Sequence, residues 1–276
     1  MANCYSNLAQ IKRRLDITST SNDTSLLELL NAASRAIDNY TMRFFYVLSA
    51  TTTIPRYYDG SASPWMIPDD VLAITTLKTD EDGDATFENS YTETTDYHLY
   101  PLNEYPKTWA KINSNGSYGG FASGTVRGIE LIGTLGYGDG ESATPYVTSG
   151  ATVTVATTTG TSVTASDGTA FAVGQTILAG TEQMYISAIS SNTLTCTRGV
   201  NGTTAAIQAA ATAYIYDYPE PIVEATLIQA MRWWKRRESA FQDMVGSPEV
   251  GQLIAYKGMD ADLKLIVKGY FKVRST

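Results

Sequence analysis

Between Leu26 and Phe44 the apolar residues fall at helical spacing, with Leu26, Leu30, Ala33, Ile37, Tyr40 and Phe44 forming one stripe. A helix of this kind is marginal in water by itself, so the stripe must pack on something. Each large side chain it buries is worth about 1.5–3 kcal/mol, which puts the stripe on the scale of the ~5–15 kcal/mol net stability of a typical domain. A shorter helix precedes it, carrying Leu8, Ile11 and Leu15 at i, i+3 and i+7. Ser25 with Glu28 three residues on is a candidate capping box, and Asp23 or Thr24 are alternative caps.

Charge is divided unevenly. Residues 1–46 carry five Lys or Arg against four Asp or Glu, and residues 220–276 carry nine against seven. Residues 47–219 carry six against seventeen, so mildly basic helical ends flank a strongly acidic middle. That middle repels a duplex, which argues against sequence-specific DNA binding there. Apolar runs are short and no basic leader precedes one, so neither a signal peptide nor a membrane span is expected. Cys4 and Cys196 are the only cysteines and make no disulfide framework, which points to synthesis in a reducing cytoplasm.

Strands are expected at 53–58, Val71 to Thr79, 97–100, around Ile112 and over 128–137, together a small sheet. From Ser142 to Tyr216 the composition changes to Thr, Ala, Gly and Ser tracts with one Arg and no Lys. Short strands at 147–157, 174–178, 182–189 and 193–198 suggest an inserted small barrel or sandwich. A third helix starts after Tyr218, with Pro219 or Pro221 in its first turn and Gly246 and Pro248 at its end. Val223, Leu227, Ala230, Met231 and Trp234 share one of its faces. The tail from Gly251 reads as extended or irregular, and Leu263 to Val267 fits strand or helix.

The phrase Leu8-Ala9-Gln10-Ile11-Lys12 and the second helix running into Phe44-Phe45-Tyr46 resemble the head-to-tail connector family of long-tailed bacteriophages, also called adaptor or head-completion proteins. So do the strand Gly128 to Tyr137 and the run Pro219 to Ala230 leading into Trp233-Trp234. The resemblance covers roughly residues 4–141 and 217–276 and follows the family's element order. It implies an α+β chain: a discontinuous connector core, 1–141 and 217–276, of two N-terminal helices, a small β-region, a C-terminal helix and an extended tail. Residues 142–216 are then an inserted all-β module.

Sites for chemistry are few. His98 is the only histidine, which leaves no His pair for a metal and no triad beyond that one residue. Asp80, Asp82 and Asp84 resemble the start of a calcium loop but lack its Gly at position six and Glu at position twelve, so a solvated hairpin turn is the better reading. Asp69 and Asp70 follow Pro68 as a turn or cap. Arg232, Lys235, Arg236 and Arg237 crowd the end of the third helix, where its dipole favours cations, and they also offer a basic patch. Trp233 and Trp234 are ~100° apart on a helix, so one belongs at a boundary or interface.

The resemblance implies a structural protein of the virion neck, made in the host cytoplasm, and no enzyme. It would form a ring, dodecameric in the family, joining the capsid portal to the tail, to a tail-completion ring or to a tail terminator. DNA would pass its channel without specific binding, and no cofactor, metal or membrane is called for. Candidate portal contacts are Lys257, Lys264, Leu265, Ile266, Lys268, Tyr270, Phe271, Lys272 and Arg274. Trp233, Trp234, Lys235, Arg236 and Arg237 are candidate subunit contacts, and Asp69, Asp70, Asp80, Asp82 and Asp84 candidates for the channel wall. The alternative is a tail or baseplate adhesin that binds carbohydrate through the β-module, and a β-rich hydrolase ranks below both.

Overall fold

A computed structural model of the 276-residue chain describes residues 3–122, 124–237, 244–246, 253–255 and 259–272. It is an α+β structure with a closed β-barrel. Helices from both ends of the chain pack together. Helix α1 (Leu8–Leu15) is capped at Asn7, whose side chain accepts from Gln10 N while the Gln10 side chain accepts from Asn7 N, a reciprocal capping box. Helix α2 (Asp23–Thr41) has no such cap: Asn22 precedes it without a side-chain bond, and the expected Ser25–Glu28 box falls inside the helix. It ends at Thr41, so Phe44 lies beyond it.

The stripe of α2 faces two clusters. Leu26, Leu30 and Ala33 pack with Leu8 and Ile11 of α1, and with Leu227, Ala230 and Trp234 of α3 (Glu220–Arg236). Further along, Ile37 meets Tyr5, Phe45, Ile222 and Ala225, together with Leu263 and Val267 of α4 (Ala261–Val267). Pro219 precedes α3 and Pro221 sits in its first turn, where a missing N–H costs little. Gly246, expected at the end of α3, belongs instead to β15 (Met244–Gly246), which pairs with β16 (Leu253–Ala255). Part of the tail expected to be extended is helical. Asp260 caps α4 by accepting from Asp262 N, and Leu263 and Val267, four apart, are buried against the bundle.

The β-region between α2 and the insert is a sandwich of two sheets rather than one. In the first, β8 (Ile129–Leu135) is central: β1 (Leu48–Ala50) and β2 (Arg56–Tyr58) pair along one edge, β4 (Val71–Thr79) along the other, and β5 (Asn89–Tyr91) continues from β4. The second has the order β3 (Trp65–Met66), β7 (Trp109–Ile112), β6 (Tyr97–Tyr100). Leu77, Ile129 and Leu131 of the first sheet share one core with Met66, Tyr97, Leu99, Ala110 and Ile112 of the second.

Residues 146–216 close a six-stranded antiparallel barrel. Its order is β10 (Ser162–Ala165), β13 (Thr193–Thr197), β12 (Glu182–Ser190), β11 (Thr176–Ala179), β14 (Gln208–Tyr216), β9 (Tyr146–Val155) and back to β10. Closure leaves no exposed edge. The interior is small and apolar, with Val153, Val163, Ile177, Met184, Ile186, Leu194 and Ala213 at its centre. Tyr146 lies opposite Tyr216 and Asp217 N donates to Pro145 O, so the barrel's two ends enter and leave side by side. The barrel also packs on the rest of the chain. Tyr185 joins the α1–α2–α3 cluster, Leu8 N donates to Val173 O, and Tyr216 packs with Val47 and Leu72. Among the described residues no helix is long and apolar enough to cross a membrane.

Candidate functional site

The tail divides into a buried and an open face. Leu263 and Val267 point into the bundle, whereas Lys264, Leu265 and Lys268 are exposed, with Leu265 at 73%. Ile266 is half-buried. Tyr270 packs edge-on against Phe45 and Tyr137, and Phe271 against Tyr40. Lys272 is committed: its ammonium donates to Pro68 O at 2.7 Å and lies 3.4 Å from Asp70 Oδ1. Lys257 and Arg274 lie outside the described residues. Of the nine candidate portal contacts, the structure thus brings Lys264, Leu265 and Lys268 together on one open surface.

Asp70 is the other end of that tether. It is 3% exposed, with Arg43 at 2.9 Å and Lys272 on the same oxygen, so its carboxylate is held inside the subunit rather than offered to a channel. Asp69 is more open and faces Arg56 at 3.5 Å and the Tyr58 hydroxyl at 3.2 Å. Burial, reinforced by Asp69, pushes the Tyr58 phenol well above its ordinary value.

Asp80, Asp82 and Asp84 form the turn of the β4–β5 hairpin. Asp80 is buried and braces the loop by accepting from Gly83 N at 2.7 Å and Ala85 N at 2.9 Å. Asp82 accepts from Asp84 N, and Asp84 from Thr86 N, so the loop is a chain of Asx turns with exposed carboxylates. One oxygen from each of Asp80, Asp82, Asp84 and Glu88 falls within 4.8 Å of the others. An oxygen set of this kind suits a hard divalent cation by donor type.

The end of α3 separates its aromatics. Trp234 is buried in the α1–α2–α3 cluster with the Arg237 guanidinium 3.7 Å from its ring centroid, while Trp233 is half-buried at the cluster's edge. Lys235 and Arg237 are exposed and Arg236 is half-buried. Arg232 is ion-paired to Asp260, tying α3 to the cap of α4.

Besides the Asp70 cluster, buried or partly buried ionisable groups form two further assemblies that periodicity does not reveal. In one, Arg35 lies 2.9 Å from Asp38, its guanidinium stacks over Tyr5 and Tyr46, and Tyr5 OH donates to Asp38. Burial outweighs the Arg35 charge and the Tyr5 hydrogen bond, and pushes the Asp38 carboxyl up to about 7. In the other, Arg198 forks onto a wholly buried Glu182 at 2.6 and 2.7 Å and also donates to the carbonyls of Thr157, Gly160 and Ala206. Glu182 accepts in addition from Gly199 N and Ala206 N, so both charges are paired and hydrogen-bonded inside the barrel module. Sequence does signal this pair, since Arg198 is the one base of an insert whose acids are Asp167 and Glu182.

Both cysteines are buried and free, and burial raises both thiols, that of Cys196 to about 12. His98 is half-buried on β6 and lies opposite Lys111 of β7. Sequence reading passed over Trp65, Tyr100 and Trp109, which stack on the outer face of the three-stranded sheet. Their signal was the alternation Tyr97 to Tyr100 and Trp109 to Ile112, with every second residue outward.

No family profile matches the sequence, and no curated protein matches it. Among solved structures the chain is similar to one described as the "Neck of empty GTA particle computed with C6 symmetry". The two share 9% identity over 98% of this chain and 90% of that one, with a TM-score of 0.31.

Proposed function

We propose that this chain is a virion structural protein of the head-to-tail connector kind. It closes into a ring between the portal and the tail or tail-completion ring, extends the DNA channel and helps retain the genome. The observation that carries this reading is that α1, α2 and α3, drawn from both chain ends and separated by the sandwich and the barrel, pack in one cluster. This is in keeping with the two N-terminal helices and one C-terminal helix that the connector-like phrases imply, while α4 joins the bundle where an extended tail was expected. It presents Leu265 between Lys264 and Lys268, an exposed apolar residue flanked by cations, as a surface suited to an acidic and apolar partner. The net acidity of residues 47–141, five bases against fourteen acids, suits a ring that passes DNA without holding its phosphates. The function is assembly rather than chemistry.

Co-sedimentation with purified portal, followed by imaging of the pelleted complex, tests the reading. The full chain pellets with portal as a ring, and charge reversal of Lys264 and Lys268 together with Leu265→Glu weakens that binding without unfolding the protein, since all three side chains are exposed. A chain that ignores portal and binds glycans instead is the adhesin, and this outcome overturns the proposal.

A further inference from the structure

The outer face of the three-stranded sheet is aromatic and carries no carboxylate. Alternation sends Met66, Leu99, Ala110 and Ile112 into the sandwich core, so Trp65, His98, Tyr100, Trp109 and Lys111 point away from it. Tyr100 and Trp109 lie parallel with ring centroids 4.0 Å apart, and Trp109 continues to Trp65 at 4.8 Å. The Lys111 ammonium sits 4.6 Å from the Trp65 centroid, and Trp65 remains 46% exposed. Contiguous Trp and Tyr rings bearing a cation are the composition that interfaces bury at their centres.

Charge identifies what covers this platform. It is a basic aromatic surface within residues 47–141, where acids outnumber bases fourteen to five. The most concentrated of those acids are Glu81, Asp82, Asp84 and Glu88, all exposed on the β4–β5 turn. That turn is preformed: Asp80 holds it from within, and Phe87 stacks on Tyr57 beneath it with centroids 5.9 Å apart. Platform and turn belong to opposite sheets of the sandwich. A contact between two different patches is heterologous, and repeated from subunit to subunit it builds a ring when the rotation closes.

We propose that the Trp65–Trp109–Tyr100 platform with Lys111 seats the acidic β4–β5 turn of a second copy of this chain, as the repeating contact of the ring. The inference rests on the ring reading above and names the surfaces that close it. In that arrangement Asp82 and Asp84 face the neighbouring subunit rather than the channel.

Cross-linking tests the contact, because both native cysteines are buried and introduced thiols react first. Lys111→Cys and Asp84→Cys are combined in one full-length chain and treated with a short bifunctional maleimide, with and without portal. A ladder climbing to a closed band is expected, while each single variant stops at dimers. In sedimentation, Lys111→Glu should weaken self-association about tenfold, and adding Asp82→Lys with Asp84→Lys should recover most of it. A combined variant that stops at dimers under both conditions overturns the proposal. So does Trp65→Ala that abolishes glycan binding and leaves self-association unchanged. Portal co-sedimentation reports separately: a ladder without portal binding keeps this contact and removes the neck reading, and portal binding without a ladder does the reverse.

Discussion

Asn3 and Asn201, 198 positions apart, exchange two side-chain hydrogen bonds: Asn3 Nδ2 donates to Asn201 Oδ1 at 2.6 Å, and Asn201 Nδ2 donates to Asn3 Oδ1 at 3.0 Å. Both residues are buried, and the pair is extended by Thr176, which donates to Asn3 Oδ1, and by Gln183, which accepts from Asn201 Nδ2. Asn3 O accepts from Arg35 of α2, and Asn201 O accepts from Ser49 N of β1. One amide pair therefore joins the barrel to the helical bundle and to the sandwich. Removing either side chain leaves buried partners unsatisfied, which costs about 1–3 kcal/mol. Asn3→Ala and Asn201→Ala should each destabilise by that amount in urea unfolding, and the double variant by clearly less than their sum.

Gly202, the next residue, is held at φ +85°, and a Cβ there would lie 2.2 Å from Ser49 O. The nearest atom is a backbone oxygen, which cannot turn aside as the Ile54 side chain at 2.9 Å could. Gly202→Ala should therefore destabilise the protein by more than the ~1 kcal/mol of an ordinary glycine replacement at positive φ. Gly119→Ala, where nothing lies within 4 Å, is the control and should be near neutral in the same thermal melts.

Glu182 and Arg198 set a larger expectation. Arg198→Ala strands a buried carboxylate and should cost about 3–5 kcal/mol. Replacing both partners by apolar residues of similar volume should recover much of that loss. Circular dichroism melts of the three proteins check the ranking.

Asp38 makes stability depend on pH in a known direction. Its folded value of about 7 lies above the ordinary carboxylate range, so the folded state binds the proton more tightly than the unfolded one. The contribution is complete below about pH 4 and is lost as pH rises through about 7, at no more than about 1.4 kcal/mol per pH unit. Asp217, raised by burial and by Asp139, Glu141 and Glu220, acts in the same sense. The readout is therefore a difference: between pH 4 and 7 the wild type should lose more stability than Asp38→Asn.

The barrel's ends lie side by side, so a short Gly/Ser linker from Glu141 to Asp217 can replace it without stretching the chain. The isolated barrel, with its own core, should fold by circular dichroism and amide dispersion. The remainder should fold with lowered stability, because the surface facing Tyr185 and the partners of Asn201 become exposed.

Local periodicity made much of this fold legible. The stripes of α1 and α2 and the buried positions Leu227, Ala230 and Trp234 of α3 follow from 3.6-residue spacing, and β6 and β8 from alternation between buried and open faces. The β-character of residues 142–216 follows from composition. Elements whose conformation depends on distant partners were not legible. β14 contains an Ala-rich stretch and becomes a strand because β9 and β11 pair with it on either side and Ala213 fits the narrow interior. Leu263 to Val267, apolar at every position but one, has no period of its own; burial of Leu263 and Val267 against the bundle selects the helix. Asp69 and Asp70 are neighbours in sequence, yet one is open and the other buried between Arg43 and Lys272, residues 229 positions apart. Sequence by itself determined which faces had to be buried, because periodicity is a property of adjacent residues. Which surfaces met, and which charges and rings they enclosed or left open, only the tertiary structure decided, because those pairings join segments that no local pattern relates.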